Sequence, residues 1–199
     1  MSVTRQRWLD EGLTVLAEEG SAGLRIDRLA ARLGLTKGSF FHHFAGAAAY
    51  RTALLADYEA RTLGALAEAL DAGRGEGTFA TLARLTGLVS GDEEGDDTDQ
   101  QTPGGGKIRA PELDLAVRAW AASDSDARAV QARIDAAVID ALQAIWRPAV
   151  ETDAAARTAA LVPYLVSLGA SVTVPPISPR DLRDVYELLL ERVPRSPGG

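Results

Sequence analysis

Apolar residues recur along most of the chain at steps of three and four, the spacing that places side chains on one face of an α-helix. The first such stripe contains Trp8, Leu9, Leu13 and Leu16. Gly20 follows it and is able to adopt the left-handed conformation that ends many helices. Since no segment shows the convincing two-residue alternation that indicates a β-strand, the pattern predicts an all-α protein.

Two short helices are predicted next, over residues 26–33 and 37–44. Thr36 lies between them, and its hydroxyl is placed to cap the second helix by accepting a hydrogen bond from a free backbone N–H group. Phe40 and Phe44 are one turn apart on that second helix. We therefore predict that both rings are buried and lock the amino-terminal helices together.

Longer helices are predicted from the remaining apolar stripes. Pro163 falls inside one of them, so that helix either kinks there or begins near it. Ser178 and Pro179 are a favoured cap and first residue for the last helix. The predicted segments cover about residues 47–70, 79–89, 113–120, 130–145, 161–172 and 179–193.

Residues 91–106 interrupt this pattern because they contain no apolar side chain. They hold six carboxylates, five glycines and one proline. Such a segment buries too little surface to offset the entropy lost on ordering it, so a mobile acidic loop is predicted there, inside the second domain and not between domains.

The formal net charge of the 199-residue chain is −7, which is unfavourable for a nucleic-acid-binding protein taken as a whole. The charge is unevenly distributed, because residues 1–50 carry six basic and five acidic side chains. This asymmetry indicates a neutral-to-basic amino-terminal segment joined to an acidic remainder of the chain. If this segment binds nucleic acid, its small basic excess predicts a moderate affinity that depends on dimerisation.

Several classes of protein are disfavoured by what the sequence lacks. The absence of cysteine excludes disulfides, thiolate metal sites and cysteine nucleophiles. The amino terminus lacks the apolar core of a signal peptide, and no apolar run approaches the roughly 18 residues of a membrane helix. We therefore expect a soluble, cytoplasmic protein with no membrane partner.

The segment 24–44 carries the main functional signal. It has the pattern of two short helices joined by a tight turn, with Leu35 placed to fill the gap between them. Gly38 and Ser39 are small, so the start of the second helix is able to approach base edges closely. Lys37 and the positive helix terminus suit phosphate oxygens. The pattern is typical of a helix-turn-helix that reads the major groove of DNA.

This segment resembles the DNA-binding segment of the TetR family of bacterial regulators. The family pattern consists of an apolar residue before alanine, a glycine-apolar-Ser/Thr turn, Lys-Gly-Ser/Thr, an aromatic pair and His-Phe. Here it corresponds to Leu29-Ala30, Gly34-Leu35-Thr36, Lys37-Gly38-Ser39, Phe40-Phe41 and His43-Phe44. The strong resemblance covers about residues 5–60, and residues 111–135 are more loosely similar to the middle helices of some regulators of this family.

The resemblance implies a division into two domains. Residues 1–46 would form a three-helix DNA-binding domain, completed by the next helix to about residue 60. Residues 47–199 would bind a small-molecule effector and form a homodimer. The implied activity is that of a repressor of transcription that binds a palindromic double-stranded operator and is released from it by the effector. No cofactor is implied.

The residues predicted to contact DNA lie at the start of the first short helix and along the second. Phe41 either faces DNA or packs on the scaffold, and for His42 and His43 a phosphate contact and a structural role are evenly balanced. A metal site is disfavoured because the two histidines point to different helix faces and no further ligands are near. The predicted contacts are Arg25, Arg28, Thr36, Lys37, Gly38, Ser39, Phe41, His42 and His43.

Three positions depart from the family pattern. Phe41 stands where the family usually has a tyrosine whose hydroxyl reaches a phosphate, and Arg25 stands where a Ser or Thr often caps the helix. Residues 45–49 contain no lysine, although the family often has one there. These departures lower the expected affinity for DNA and flatten its salt dependence.

Trp120, Trp146 and Tyr164 are candidates for an effector pocket in the second domain, with ordinary core packing as the more common alternative. The last two apolar stripes belong either to the core of one chain or to the four-helix dimer interface that the resemblance implies. Gly169 and Ala170 would permit close helix approach there. The dimer is favoured because one helix-turn-helix unit binds DNA weakly.

Catalysis is not expected, because the sequence has no Ser-His-acid signature, no glycine-rich phosphate loop and no cluster of metal ligands. Two alternatives remain open at this point. One is a helical small-molecule carrier or enzyme with a degenerate DNA-binding head. The other is a protein-interaction adaptor that uses the acidic segment 91–106.

Overall fold

The computed structural model describes residues 5–73 and 111–191, and within these ranges the chain forms helices and no β-strand. The all-α prediction is confirmed. The described helices are α1 (Arg5–Glu19), α2 (Ile26–Leu33), α3 (Lys37–Phe41), α4 (Ala47–Ala72), α5 (Pro111–Ala121), α6 (Ser125–Trp146), α7 (Asp153–Val172) and α8 (Pro179–Glu191), with short 3₁₀ turns at Ser21–Gly23 and Arg147–Ala149.

The described residues fall into two compact units. The first contains residues 5–62 and 112–134, and the second contains residues 63–73 and 135–191 together with Pro111. The predicted helix at 79–89, the predicted acidic loop at 91–106 and the tail after Pro194 lie outside the described residues.

The core of the first unit is built from the apolar stripes of its helices. Trp8, Leu16, Leu29, Phe40 and Leu54 are each 0 % exposed. They come from four helices, α1 to α4, so the three short amino-terminal helices share one core with the start of α4. Phe40 and Phe44 are both buried, which confirms the prediction made from their spacing.

The helix α3 is shorter than predicted, ending at Phe41 rather than at Phe44. The N–H groups of His43 and Phe44 both donate to the carbonyl oxygen of Phe40, at 2.9 and 3.1 Å, which tightens the last turn. This turn keeps Phe44 in the core. Gly46, with φ 142°, then redirects the chain into α4.

The helix α7 begins at Asp153 and continues through Pro163. The alternative that it begins near Pro163 is therefore wrong. Its start is fixed by Thr152, whose hydroxyl accepts a hydrogen bond from the Ala155 N–H at 3.1 Å. Pro163 has no N–H to give to the preceding turn, but its carbonyl oxygen accepts from the Ser167 hydroxyl at 2.9 Å.

The carboxyl end of α6 and the start of α8 follow the sequence signals, whereas α6 begins at Ser125, earlier than the predicted residue 130. The helix α6 ends at Trp146, just before the turn that contains Pro148, as predicted. At the start of α8 the Ser178 hydroxyl accepts from the Asp181 N–H at 3.1 Å, with Pro179 as the first helical residue. Both predictions are confirmed.

The second unit has two small apolar cores. One is formed by Ala69, Leu142, Trp146, Ala156 and Ala160. The other joins α7 to α8 through Ala170, Leu182 and Tyr186. The buried hydroxyl of Tyr186 donates to the Pro163 carbonyl oxygen at 3.0 Å, so α8 is tied to α7 by a hydrogen bond as well as by packing.

The helix α7 corrects one expectation from the sequence. Its length and composition suffice for crossing a membrane, with a mean hydropathy of 1.3 in its best 18-residue window, of which only 22 % is buried. An apolar segment of that length was not expected. Several large apolar residues of α7 and α8 are exposed: Val162, Leu165, Val172, Val185 and Leu188.

Candidate nucleic-acid interface

The turn between α2 and α3 is set by a glycine in the left-handed region. Gly34 has φ 67° and ψ 33°, and its N–H bonds to the Ala31 carbonyl oxygen at 3.1 Å. The Leu35 N–H then bonds to the Ala30 carbonyl oxygen at 2.8 Å. These two bonds form the pattern that commonly ends a helix with a sharp change of direction. Leu35 is half-buried, in keeping with its predicted place between the helices.

The start of α3 is capped as the sequence predicts. Thr36 has extended backbone angles, and its hydroxyl accepts a hydrogen bond from the Ser39 N–H at 3.4 Å. Lys37 and Gly38 follow at once, and both are exposed. A Cβ atom added at Gly38 would meet only the Thr36 hydroxyl, at 3.6 Å, so the packing of the protein does not require a glycine there.

An aromatic cluster holds α3 against its neighbours. The ring of Phe40 lies edge-on to Trp8, with 5.3 Å between centroids, and the ring of Phe44 lies edge-on to Tyr50 at 4.9 Å. Such pairs contribute about 0.5–1.5 kcal/mol each beyond the area they bury. The guanidinium of Arg5 lies 5.1 Å above the Phe44 ring. The orientation of α3 is therefore fixed from its buried side.

The opposite side of α3 is open to solvent. Phe41 is 57 % exposed, one turn after Lys37, and His42 is exposed as well. Ser39 and His43 are half-buried at the border of this face. The sequence left open whether Phe41 faces DNA or packs on the scaffold. Its ring does pack edge-on against Phe40, with 5.5 Å between centroids, but it also presents most of its surface to solvent.

Arg25, just before α2, and the arginines of α2 are paired with carboxylates in the free protein. Arg25 lies 3.3 Å from Asp27, and Arg28 pairs with Glu19 of α1. Arg32, which the sequence reading did not single out, donates to Glu18 at 2.6 Å and also to a second α1 glutamate, Glu11. The signal for this network was available, since Glu11 and Glu18 are seven residues apart and lie on one face of α1.

The charge of Lys37, at the start of α3, acts on Asp27 in the first turn of α2. Partial desolvation raises the pKa of Asp27, but the charge of Arg25, two backbone N–H groups and the charge of Lys37 outweigh it, so that its pKa falls below the usual value. The predicted contact residues Arg25, Arg28, Thr36 and Lys37 are thus gathered on the two helices of the turn, all of them exposed.

The candidate pocket residues do not share one unit. Trp120 is buried in the first unit, whereas Trp146 and Tyr164 belong to the same apolar core of the second. The indole N–H of Trp146 is buried and has no hydrogen-bond acceptor among the described residues. Within residues 5–73 and 111–191, no group of three or more acidic or histidine side chains is placed to hold a metal ion.

Residues 9–46 match the sequence family described as "Bacterial regulatory proteins, tetR family". No curated protein matches the chain. Several solved structures share its fold. A transcriptional regulator from Rhodococcus sp. RHA1 is 17 % identical, with a TM-score of 0.72 and 96 % of each chain covered. The reduced form of NemR from E. coli is 18 % identical, with a TM-score of 0.73 and 98 % of each chain covered.

A third similar structure is a protein from Saccharomonospora viridis, described as a transcriptional regulator and solved in complex with choline. It is 18 % identical, with a TM-score of 0.71, and the match covers 96 % of this chain and 98 % of that one. At such identities these likenesses concern the fold, whereas the match at residues 9–46 concerns the segment built around α2 and α3. Residues 9–46 therefore match the tetR family of bacterial regulatory proteins, within an all-α fold that the chain shares with these solved structures.

Proposed function

We propose that this protein regulates transcription by binding an operator through the exposed face of α3. The observation that carries the proposal is the division of α3 into two faces: Phe40 is 0 % exposed, whereas Lys37, Gly38 and Phe41 are exposed. A short helix braced from behind, with a cation and a glycine at its leading end, suits entry into the major groove. The proposed contacts are Arg25, Arg28, Thr36, Lys37, Gly38, Ser39, Phe41, His42 and His43.

The proposed domain division places DNA binding in residues 1–46, with the start of α4 to about residue 60 completing that domain. Residues 47–199 would bind the effector and form the dimer. The cytoplasm is the proposed location, since a regulator of this kind works where the DNA is.

A homodimer is proposed on the exposed apolar surface of α7 and α8. Leu165 of α7 is 57 % exposed and Leu188 of α8 is 50 % exposed, and side chains of this kind gain free energy when a second chain covers them. A Cβ atom at Gly169 would meet nothing within 4 Å, so another helix has room to approach there. Two reading heads on one dimer fit a palindromic operator.

Release by a small molecule is the proposed switch, and repression is the proposed outcome of binding. The fold relative from Saccharomonospora viridis was solved with choline, which supports a ligand-binding role for the helices behind the reader. Trp146 and Tyr164 of the second unit are the proposed lining of that site, and Trp120 remains a candidate from the sequence. An effector would act by favouring one spacing of the two heads over another.

The experiment is a mobility-shift assay on the DNA upstream of the gene, with Lys37→Ala as the test variant. We expect the wild-type protein to shift the fragment, and the variant to bind more weakly. Removing one phosphate contact from each head should also flatten the slope of log affinity against log salt by about 1.8. Arg147→Ala is the matched control, because Arg147 is an exposed cation of the second unit in the turn Arg147–Ala149, outside α7 and α8.

The proposal fails if the wild-type protein binds no upstream fragment at low salt. It also fails if Lys37→Ala and Arg147→Ala weaken binding equally. The effector proposal is tested on the same complex: candidate small molecules, choline among them, are added and the loss of the shifted band is measured.

A further inference from the structure

The basic side chains on and near α3 differ in how available they are for contact with a phosphate. Among the lysines and arginines of residues 21–46, Lys37 alone has no ion pair with a carboxylate of the described residues. Arg25, Arg28 and Arg32 each form an ion pair, and the partners of Arg28 and Arg32 are glutamates of α1. A phosphate that approaches α2 therefore meets guanidinium groups that already have an anionic partner.

Arg28 and Arg32 are held differently. Arg32 donates to Glu18 and Glu11 and lies 3.6 Å from Glu19, and hydrogen bonds to Glu18 and then Glu11 raise its pKa. With several partners and a side chain only 33 % exposed, Arg32 ties α2 to α1. The Arg28 side chain is 51 % exposed, and Glu19 is its one ion-pair partner among the described residues. Of these two arginines, Arg28 is therefore the one that pairs with a single carboxylate.

Arg28 also lies on the correct part of the molecule to reach DNA. It is in the first turn of α2, three residues after Arg25. The helix α2 is joined to α3 by the short turn at residues 34–36, and the charge of Lys37 contributes to lowering the pKa of the neighbouring Asp27. A helix-turn-helix commonly lays its first helix across the phosphate backbone while the second enters the groove.

We propose that Glu19 is an internal competitor for DNA phosphate, holding the Arg28 guanidinium away from the backbone and thereby lowering the affinity of each reading head. This inference rests on the proposed function. Carboxylate and phosphate oxygens both accept hydrogen bonds from a guanidinium, so each N–H bonded to Glu19 is withheld from phosphate. The negative charge of Glu19 also repels the backbone.

The test measures binding to a fluorescein-labelled, mixed-sequence duplex of about 30 base pairs by anisotropy, since phosphate contacts are independent of sequence. Glu19→Gln removes the charge and keeps the shape. Because exposed ion pairs are weak, we expect the affinity to rise about two- to fivefold per head, with a steeper dependence on salt. Arg32 keeps Glu11 and Glu18 in this variant, so the thermal midpoint, followed by circular dichroism, should change little.

Glu18→Gln is the matched control, because it removes the same charge from the adjacent position of α1 and leaves the pair of Arg28 with Glu19 intact. The double variant Arg28→Ala, Glu19→Gln completes the cycle. The gain of Glu19→Gln should exceed that of Glu18→Gln and should vanish in the double variant.

A Glu19→Gln variant that binds no better than Glu18→Gln overturns the inference. So does a gain that persists without Arg28, because the effect is then general electrostatics. A loss of affinity in Glu19→Gln would mean that Glu19 positions Arg28 for DNA instead of withholding it. These results differ from a failure of the proposed function, in which the wild-type protein would not bind the duplex even at low salt.

Discussion

The hydroxyl of Tyr50 donates a hydrogen bond of 2.7 Å to the backbone carbonyl oxygen of Trp8, joining α4 to α1 across 42 positions of the chain. Both residues are buried. Burial, and then the charge of Glu11, raise the pKa of Tyr50, so the hydroxyl remains a donor throughout the physiological range. A Cβ atom at Gly12 would lie only 1.9 Å from this hydroxyl, so the glycine in α1 is what lets the two helices approach.

Removing this hydroxyl should destabilise the reading head. We expect Tyr50→Phe to lower the free energy of unfolding by about 1–2 kcal/mol, because a buried carbonyl oxygen loses a donor while the ring packing is retained. Urea denaturation followed by circular dichroism measures this. A change below about 0.5 kcal/mol, the range of ordinary surface substitutions, would show that the bond contributes little.

The substitution Gly38→Ala should affect stability and DNA affinity in opposite directions. The protein has room for a methyl group there, and alanine is a better helix former, so Gly38→Ala should leave stability unchanged or raise it by up to about 1 kcal/mol. The same methyl group should weaken operator binding, because it separates the start of α3 from the base edges. Ala31→Gly in exposed α2 is a control that reverses the stability effect. Unchanged operator affinity in Gly38→Ala would contradict close approach of DNA at this residue.

Much of this architecture could be predicted from the sequence, because its signals are local. The caps at Thr36 and Ser178 depend on residues three positions away, and the burial of Phe40 and Phe44 follows from their spacing. The end of α3 at Phe41 could not be predicted in the same way. It depends on how the chain turns to keep Phe44 in the core, which is a property of the packed unit.

The candidate site shows a similar limit. Its exposed residues were identified from the motif, but the motif does not show that Arg28 is already paired. The partner, Glu19, is nine residues earlier on another helix, and only the folded arrangement of α1 and α2 brings the two together. The ion pairs that set the availability of the cations are therefore a property of the folded arrangement and not of the motif.

The pair formed by Glu59 and Arg133 should make the stability of the first unit depend on pH. Glu59 accepts two hydrogen bonds from Arg133, at 2.6 and 2.7 Å. The bond to Arg133 lowers the pKa of Glu59 below its ordinary value of 4.5. A carboxyl group whose pKa is lower in the folded than in the unfolded state stabilises the fold above the unfolded value, and loses that effect as the pH falls through the folded value.

Glu59→Gln should therefore be less stable than the wild type at neutral pH, by about 0.3–1 kcal/mol because Arg133 is exposed and solvent screens the pair. The difference should shrink as the pH falls below 4.5 and disappear once Glu59 is protonated in the folded protein. Urea denaturation of both proteins at several pH values measures it. A difference that is constant down to acid pH would mean that the pair's charge is not its source.

Phe41 offers a gain of DNA affinity through one added atom. Its ring is 57 % exposed on the same face of α3 as Lys37, and its edge rests on the buried Phe40 ring, so a hydroxyl in the para position would extend from a well-supported side chain. We expect Phe41→Tyr to bind operator DNA more tightly, with a hydrogen bond from the new hydroxyl to a phosphate oxygen in each head.

Because a neutral hydroxyl releases no counterion, the affinity of Phe41→Tyr should rise with little change in the salt slope, in contrast to the change expected for Lys37→Ala. Phe41→Leu keeps an apolar side chain without a hydroxyl and should show no gain. Equal affinities for Phe41→Tyr and the wild type would mean that the edge of the ring does not reach the phosphate backbone of the DNA.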